Sequence, residues 1–276
     1  MMIRQILLLI SSAFLFVACT TTGDGAKTGP ITIDPPRQVS RPVIKQKKLK
    51  LYALVIGNSS YKQYGLKNTT LDSKAIANKF RSMGFNVTEL KDLTRKQFKE
   101  EAVAFAEHAK DSDVTLFYYA GHGIQVNGTN YLLPIDMDFG GSEEAAIQDG
   151  VNLNAFIRVN LPGTTRILFL DACRSNPFKS VKNQDGYEGL APMNVAPGTL
   201  ISFATRGGGI ALDGAPGGNS PYSSALLKFI GQNKDIALTL RDVRDRVVAL
   251  TSNKQVPWEY GALSGGQIII PKLASQ

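Results

Sequence analysis

Two side chains in this 276-residue sequence stand where they could do nucleophilic chemistry together. His122 lies in YYAGHG (118–123) and Cys173 in LDACRSNP (170–177), and each segment closes an apolar run. A free thiol has a pKa of about 8.5, so a neighbouring imidazole that favours the thiolate or takes its proton is the simplest activation available. The pair is therefore the material of a cysteine hydrolase, with Cys173 as nucleophile and His122 as base. Gly121 and Gly123 flank the histidine, and glycines let the backbone turn sharply and leave amides uncovered. The N–H groups of Gly123 and Cys173 are the expected donors to a developing oxyanion. A tight turn carrying a surface histidine would be written the same way. The other histidine, His108, falls near the end of FKEEAVAFAEHAKD and reads as a solvated residue interacting with a helix dipole, which leaves His122 as the base.

The elements that must position these residues alternate in type. Short apolar runs at 51–57 (LYALVIG), 85–90, 114–121, 166–172 and 199–205 read as buried strands. Segments of helical period lie among them at 71–83, 96–110 and 153–159, and two more follow at 222–230 and 238–250. A last apolar run, Gln267 to Ile270, fits an edge strand. Such alternation predicts an α/β layered domain on a mainly parallel sheet. Two connections, 176–198 and 206–221 (RGGGIALDGAPGGNSP), are long and rich in small residues; both leave the carboxyl ends of their strands, where open α/β sheets place ligands.

The amino-terminal part has another character. Arg4 precedes an apolar stretch from Ile6 to Ala18, shorter than the roughly 20 residues of a spanning helix, and so predicts a signal peptide over 1–18. FVACT at 16–20 resembles the lipobox of bacterial lipoproteins, which implies a lipid on Cys19; a plain secretory signal with Cys19 incidental is the alternative. Residues 19–48, rich in Thr, Gly, Pro and Lys, read as a flexible tether, and 49–273 as one domain. The chain has two cysteines, so a lipidated Cys19 leaves Cys173 without a disulfide partner. Formal net charge is +8, part of it in the run Lys45 to Lys50, which fits a juxtamembrane feature. No interleaved aromatic and basic pattern supports nucleic-acid binding.

VIGNSSY after the first strand, YYAGHG, LDACRSNPF, GTLISFAT and NSPYSSALL together resemble the caspase-like cysteine peptidases of bacteria, relatives of metacaspases and caspases. Caspases carry the histidine about 50 residues before the nucleophile; here the step from His122 to Cys173 is 51. The resemblance implies a caspase-like three-layer α/β/α domain with a mainly parallel six-stranded sheet. It assigns Cys173 as nucleophile, His122 as base and Gly123 to the oxyanion hole. Asp171 stands where the caspase pentapeptide has glutamine, and in metacaspase-like members an aspartate here faces a basic P1 residue. Asp72 in TTLDSKAIANKF resembles a second acidic residue of that pocket, and Ser202 matches the strand beside the substrate backbone. Asp72 also suits a helix cap, Asp171 an anchor for the turn before Cys173, and Ser202 a plain core strand.

Two carboxylates would favour a buried Arg or Lys and repel aspartate. The expected activity is an endopeptidase cleaving peptides or proteins after basic P1 residues, held on the bacterial envelope by lipidated Cys19 and facing the periplasm. The alternative is a catalytically silent lipoprotein of the same fold that binds peptides or envelope partners; ligation by the same thiol is a third. The scheme implies no cofactor and no metal. Metacaspases often use calcium, but the stretch after Cys173 is basic and amide-rich, and Asp136 with Asp138 would supply too few oxygens. Arg174, Lys179, Lys182 and Arg206 in the long connections are candidate sites of self-cleavage.

Overall fold

A computed structural model describes residues 48–139, 143–173, 190–191, 193–207, 209–263 and 268–270. Cys19, the expected signal peptide and nearly all of the tether lie outside the described residues, as do Arg174, Lys179 and Lys182. Among the described residues no helix is long and apolar enough to cross a membrane.

The apolar runs become strands β1 (Leu51–Gly57), β2 (Asn86–Lys91), β3 (Val114–Val126), β6 (Thr165–Cys173) and β7 (Thr199–Phe203). All five are parallel, in the order β2-β1-β3-β6-β7, and β8 (Trp258–Gly261) closes that edge antiparallel to β7. Two short strands, β4 (Thr129–Leu132) and β5 (Val151–Asn152), extend the far end of β3 as an antiparallel flap. Six strands on this path match the expected number, but the last of them is not the strand expected. Gln267 lies outside the described residues and Ile269 forms only an isolated bridge with Asp235, while WEYG supplies the edge.

Period-two alternation divides each strand between two helical layers. Ala53 and Val55, Leu116 and Tyr118, and Ile167 and Phe169 face helices α1 (Thr69–Ser82), α5 (Pro221–Phe229) and α6 (Ile236–Leu250). Leu54 and Ile56, Phe117 and Tyr119, and Leu168 and Leu170 face α2 (Arg95–His108) and α4 (Leu153–Asn160). These side chains are buried on both faces, so the sheet is the middle of three layers. A short helix α3 (Glu143–Asp149) lies between β4 and β5.

Local chemistry starts the helices where they are needed. Thr94 and Gln97 form a reciprocal capping box on α2, in which Gln97 Oε1 accepts the Thr94 N–H at 3.0 Å. Ser220 caps α5 ahead of a proline in its first turn. The strand order reverses between β1 and β3, and the carboxyl ends of β1, β3 and β6 open together at that switch point.

Candidate functional site

His122 is not on a turn. Strand β3 runs straight through it to Val126, so the expected sharp bend at Gly-His-Gly is absent, and the glycine beside it has another cause. A Cβ on Gly121 would come within 2.6 Å of the Tyr119 hydroxyl and 2.8 Å of the Tyr61 hydroxyl, closer than real Cβ atoms approach. Those hydroxyls hold the histidine backbone: the His122 N–H donates to Tyr61 Oη at 2.9 Å, and Tyr119 Oη donates to the His122 carbonyl at 2.8 Å. Gly123, the residue expected in the oxyanion hole, is buried opposite Leu132 in the β3–β4 ladder, where the Leu133 N–H donates to the His122 carbonyl at 3.0 Å, so Gly123 sits in a non-hydrogen-bonded pair and its N–H is not used by the ladder.

Strands β3 and β6 are direct neighbours, and their register sets His122 opposite Cys173. That pairing is what the sequence required of the two motifs. The His122 ring is buried among Tyr61, whose centroid lies at 4.5 Å, and Phe139, at 5.5 Å. Its Nε2 lies 2.7 Å from the Tyr64 carbonyl oxygen. A carbonyl only accepts, so Nε2 carries the hydrogen and Nδ1 keeps its lone pair. Nδ1 is buried and has no hydrogen-bond partner among the described residues. Burial pushes the imidazole pKa down, against upward pulls from the Tyr64 carbonyl and the Asp213 charge, and so favours the neutral base.

A buried acidic pair lies nearby. Asp72 in the first turn of α1 and Asp171 on β6 are only 1 and 7% exposed. Asp72 Oδ1 accepts the Asn219 side-chain amide at 2.8 Å and the Ser220 N–H at 3.0 Å. Asp171 Oδ2 accepts the hydroxyls of Ser220 at 2.5 Å and Ser223 at 2.8 Å. Asp72 therefore does not cap its own helix, and Asp171 bonds to α5 rather than to a turn beside Cys173. Burial, then the charge of Asp171, pushes the Asp72 carboxyl up to about 8; burial raises Asp171 to about 6, with the serine hydroxyls pulling it back.

Asp213 completes the acidic cluster, since its charge is felt by Asp72, Asp171 and His122 alike. It accepts the Lys67 N–H at 3.1 Å. Asp213 was the one acidic residue in the glycine-rich 206–221 connection, a signal that could have marked it. Tyr61 and Tyr64 follow the first strand in NSSYKQY and carry no comparable mark.

Ser202 does not join this cluster. It is fully buried in β7, and its hydroxyl accepts from Tyr222 at 2.9 Å. His108, the last residue of α2, bonds to Asn86 at 3.0 Å and packs edge-on to Tyr52, away from the site. Among the described residues no cluster of three or more His, Cys, Asp or Glu is arranged to hold a metal ion. Asp136 instead accepts the Arg95 N–H at 2.8 Å at the start of α2.

The family model described as "Caspase domain" (Peptidase C14) matches residues 50–265. The chain belongs to the caspase family. Membership at this level makes the domain a cysteine-type peptidase domain. It is 26% identical over 210 residues to human mucosa-associated lymphoid tissue lymphoma translocation protein 1, covering 74% of this chain and 24% of that protein. Its mouse homolog is 26% identical over 217 residues, covering 77% of this chain and 25% of that one. The chain thus spans about a quarter of the length of these curated relatives. Among solved structures, caspase-1 from Spodoptera frugiperda superposes with a TM-score of 0.60 at 19% identity, covering 87% of this chain and all of that one. That likeness establishes the caspase fold, an α/β domain with helices on both sides of a mainly parallel sheet.

Proposed function

We propose that this caspase domain is an endopeptidase that cleaves after arginine or lysine, with Cys173 as nucleophile and His122 as base. The in-register pairing of His122 with Cys173 on neighbouring strands carries the reading. Nδ1 of His122 accepts the thiol proton, the sulfur attacks the scissile carbonyl, and Nδ1 then gives the proton to the leaving amine. Water hydrolyses the thioester and restores the thiol. The N–H groups of Gly123 and Cys173 receive the oxyanion.

The buried acidic residues support the basic preference. Asp72, Asp171 and Asp213 have no salt-bridge partner among the described residues, and the charges of Asp171 and Asp213 raise Asp72 while that of Asp213 raises Asp171, a cost that a cation would relieve. A guanidinium or ammonium side chain supplies that cation, whereas an aspartate at P1 would bring a further acidic group into the cluster. The amino-terminal sequence supports placement on a bacterial envelope, lipid-anchored through Cys19 and facing the periplasm.

A peptide-library cleavage profile tests the reading. Wild type should cut after Arg and Lys, Cys173→Ala and His122→Ala should each lose turnover with an unchanged circular-dichroism spectrum, and Asp171→Ala should raise KM. Full activity in Cys173→Ala refutes the nucleophile assignment, and a preference for Asp at P1 refutes the pocket. Labelled palmitate should enter wild type and not Cys19→Ser; equal labelling of both removes the anchor.

A further inference from the structure

The acidic pair is held by a third residue whose two polar groups are divided between its members. The Ser220 N–H donates to Asp72 Oδ1 at 3.0 Å and the Ser220 hydroxyl to Asp171 Oδ2 at 2.5 Å. The same hydroxyl oxygen accepts the Ser223 N–H at 2.9 Å, which is the cap of α5. Ser223 adds a parallel link: its hydroxyl donates to Asp171 Oδ2 at 2.8 Å and, with its own hydrogen so used, accepts a hydrogen bond from the Tyr118 hydroxyl at 2.6 Å. Every strong bond to each carboxylate thus falls on one of its oxygens. Asp72 Oδ2 and Asp171 Oδ1 have no partner among the described residues.

We propose that Ser220 is a positioning residue for the basic pocket, clamping one oxygen of Asp72 and one of Asp171 so that the other oxygen of each is presented to the P1 cation. This rests on the basic-P1 reading. Only serine or threonine can do both jobs, because the group that accepts the cap bond must also donate to a carboxylate; aspartate would cap equally well and add a repelling charge. Ser220 is itself only 2% exposed, so it touches the carboxylates rather than the substrate. Losing its hydroxyl removes a donor that favours the ionised Asp171, so the carboxylate becomes harder to form and the cation is bound less well. Among the described residues, the groups that face Asp171 are Asp72 from α1, Asp213 from the 206–220 loop, Tyr118 from β3, Ser220 at the cap of α5, and Tyr222 and Ser223 from α5, and none of these is cationic.

The test uses the full chain with Ser220→Gly, which loses the donor but only a few tenths of a kcal/mol of capping, and Ser220→Thr, which keeps both functions. KM and kcat on an Arg reporter are followed between about pH 5.5 and about pH 9, and agmatine affinity is measured by calorimetry, which needs no turnover. Ser220→Gly should raise KM about tenfold with kcat within about twofold, weaken agmatine by the same factor, and move the acid limb of kcat/KM to higher pH. Ser220→Thr should restore all three. Unchanged KM, limb and agmatine affinity in Ser220→Gly overturn the proposal; so does a fall in kcat alone, the mark of a merely structural cap. Wild type that binds agmatine without turnover sinks the peptidase reading and leaves the Ser220 assignment to the agmatine comparison. Wild type that cuts neutral P1 residues as readily as Arg and ignores agmatine sinks the pocket and Ser220 with it.

Discussion

Tyr64 serves His122 through its main chain, so truncating its side chain leaves the acceptor in place. The residue adopts φ of +57°, a left-handed conformation that aims its carbonyl at Nε2 and that asparagine tolerates well. Proline is fixed near −65° and cannot reach it. Tyr64→Asn is therefore expected to keep kcat within about threefold, while Tyr64→Pro lowers kcat about 100-fold, or roughly 2.7 kcal/mol, with little change in KM. Equal rates in the two variants would show that the carbonyl does not set the tautomer. This residue also marks where sequence reading stops. His122 and Cys173 were legible because their side chains are chemically rare and each closes an apolar run, but any residue carries a carbonyl, and only the chain path after β1 reveals which one is used. The acidic pair was legible through resemblance, whereas its hydrogen-bond partners, over 140 positions from Asp72 and about 50 from Asp171, were not. For Ser202 the sequence left a core strand open beside the resemblance, and only the Tyr222 hydroxyl bonded to its side chain shows how that side chain is used.

The segment from Arg206 to Ser220 brings Asp213 to the site and is fastened from outside itself. Asn68 stands at the cap position of α1 yet makes no side-chain cap there. Its amide nitrogen instead donates to the carbonyls of Asp213 at 2.7 Å and Ala215 at 2.9 Å, and its oxygen accepts the Gly217 N–H at 3.0 Å. With Asn68 fully buried, these three bonds replace water and are each worth about 1 kcal/mol. Asn68→Ala should raise KM for an Arg reporter about tenfold and speed trypsin cleavage within 206–220, with kcat little changed. A variant with wild-type KM and protease resistance would show the clasp to be dispensable. At this scale most of the fold was readable, because four of the five parallel strands, β1, β3, β6 and β7, are largely apolar runs set among helices of clear period, while β2 at the sheet edge (NVTELK) is half-exposed and more polar. The β3–β4 hairpin was missed although its signal was present: Asn127-Gly128, at φ of +49° and +74°, is the dipeptide that a two-residue turn between twisted strands demands. Edge strand WEYG carried no such signal, since a strand with one open side needs no apolar continuity.

For the molecule as a whole the buried acidic pair links stability to pH in an unusual direction. An unfolded Asp72 titrates near 3.8, and burial with the charge of Asp171 raises it to about 8 in the fold. Between those values the native protein retains a proton that the unfolded chain releases, so this group's contribution is fully present below the unfolded pKa and is lost as pH rises through the folded one. Asp171, raised to about 6, acts in the same sense over a narrower window. In the empty domain the site's charge requirement therefore opposes the fold at neutral and alkaline pH, and a bound cation should relieve it. Asp72→Asn keeps an oxygen for Asn219 and Ser220 but removes the titration. Since 1 kcal/mol moves the Tm of a domain this size by about 2–4 °C, the variant should melt at least about 3 °C above wild type near about pH 8.5. The two should agree within about 1 °C near about pH 4, where the wild-type carboxyl is already protonated. The gain should come with a large rise in KM for Arg reporters, because the stabilising change removes one of the charges that bind the cation. A Tm difference that stays constant across this range would mean that Asp72 is ionised throughout in the fold, and that the pair is neutralised by a group other than the substrate.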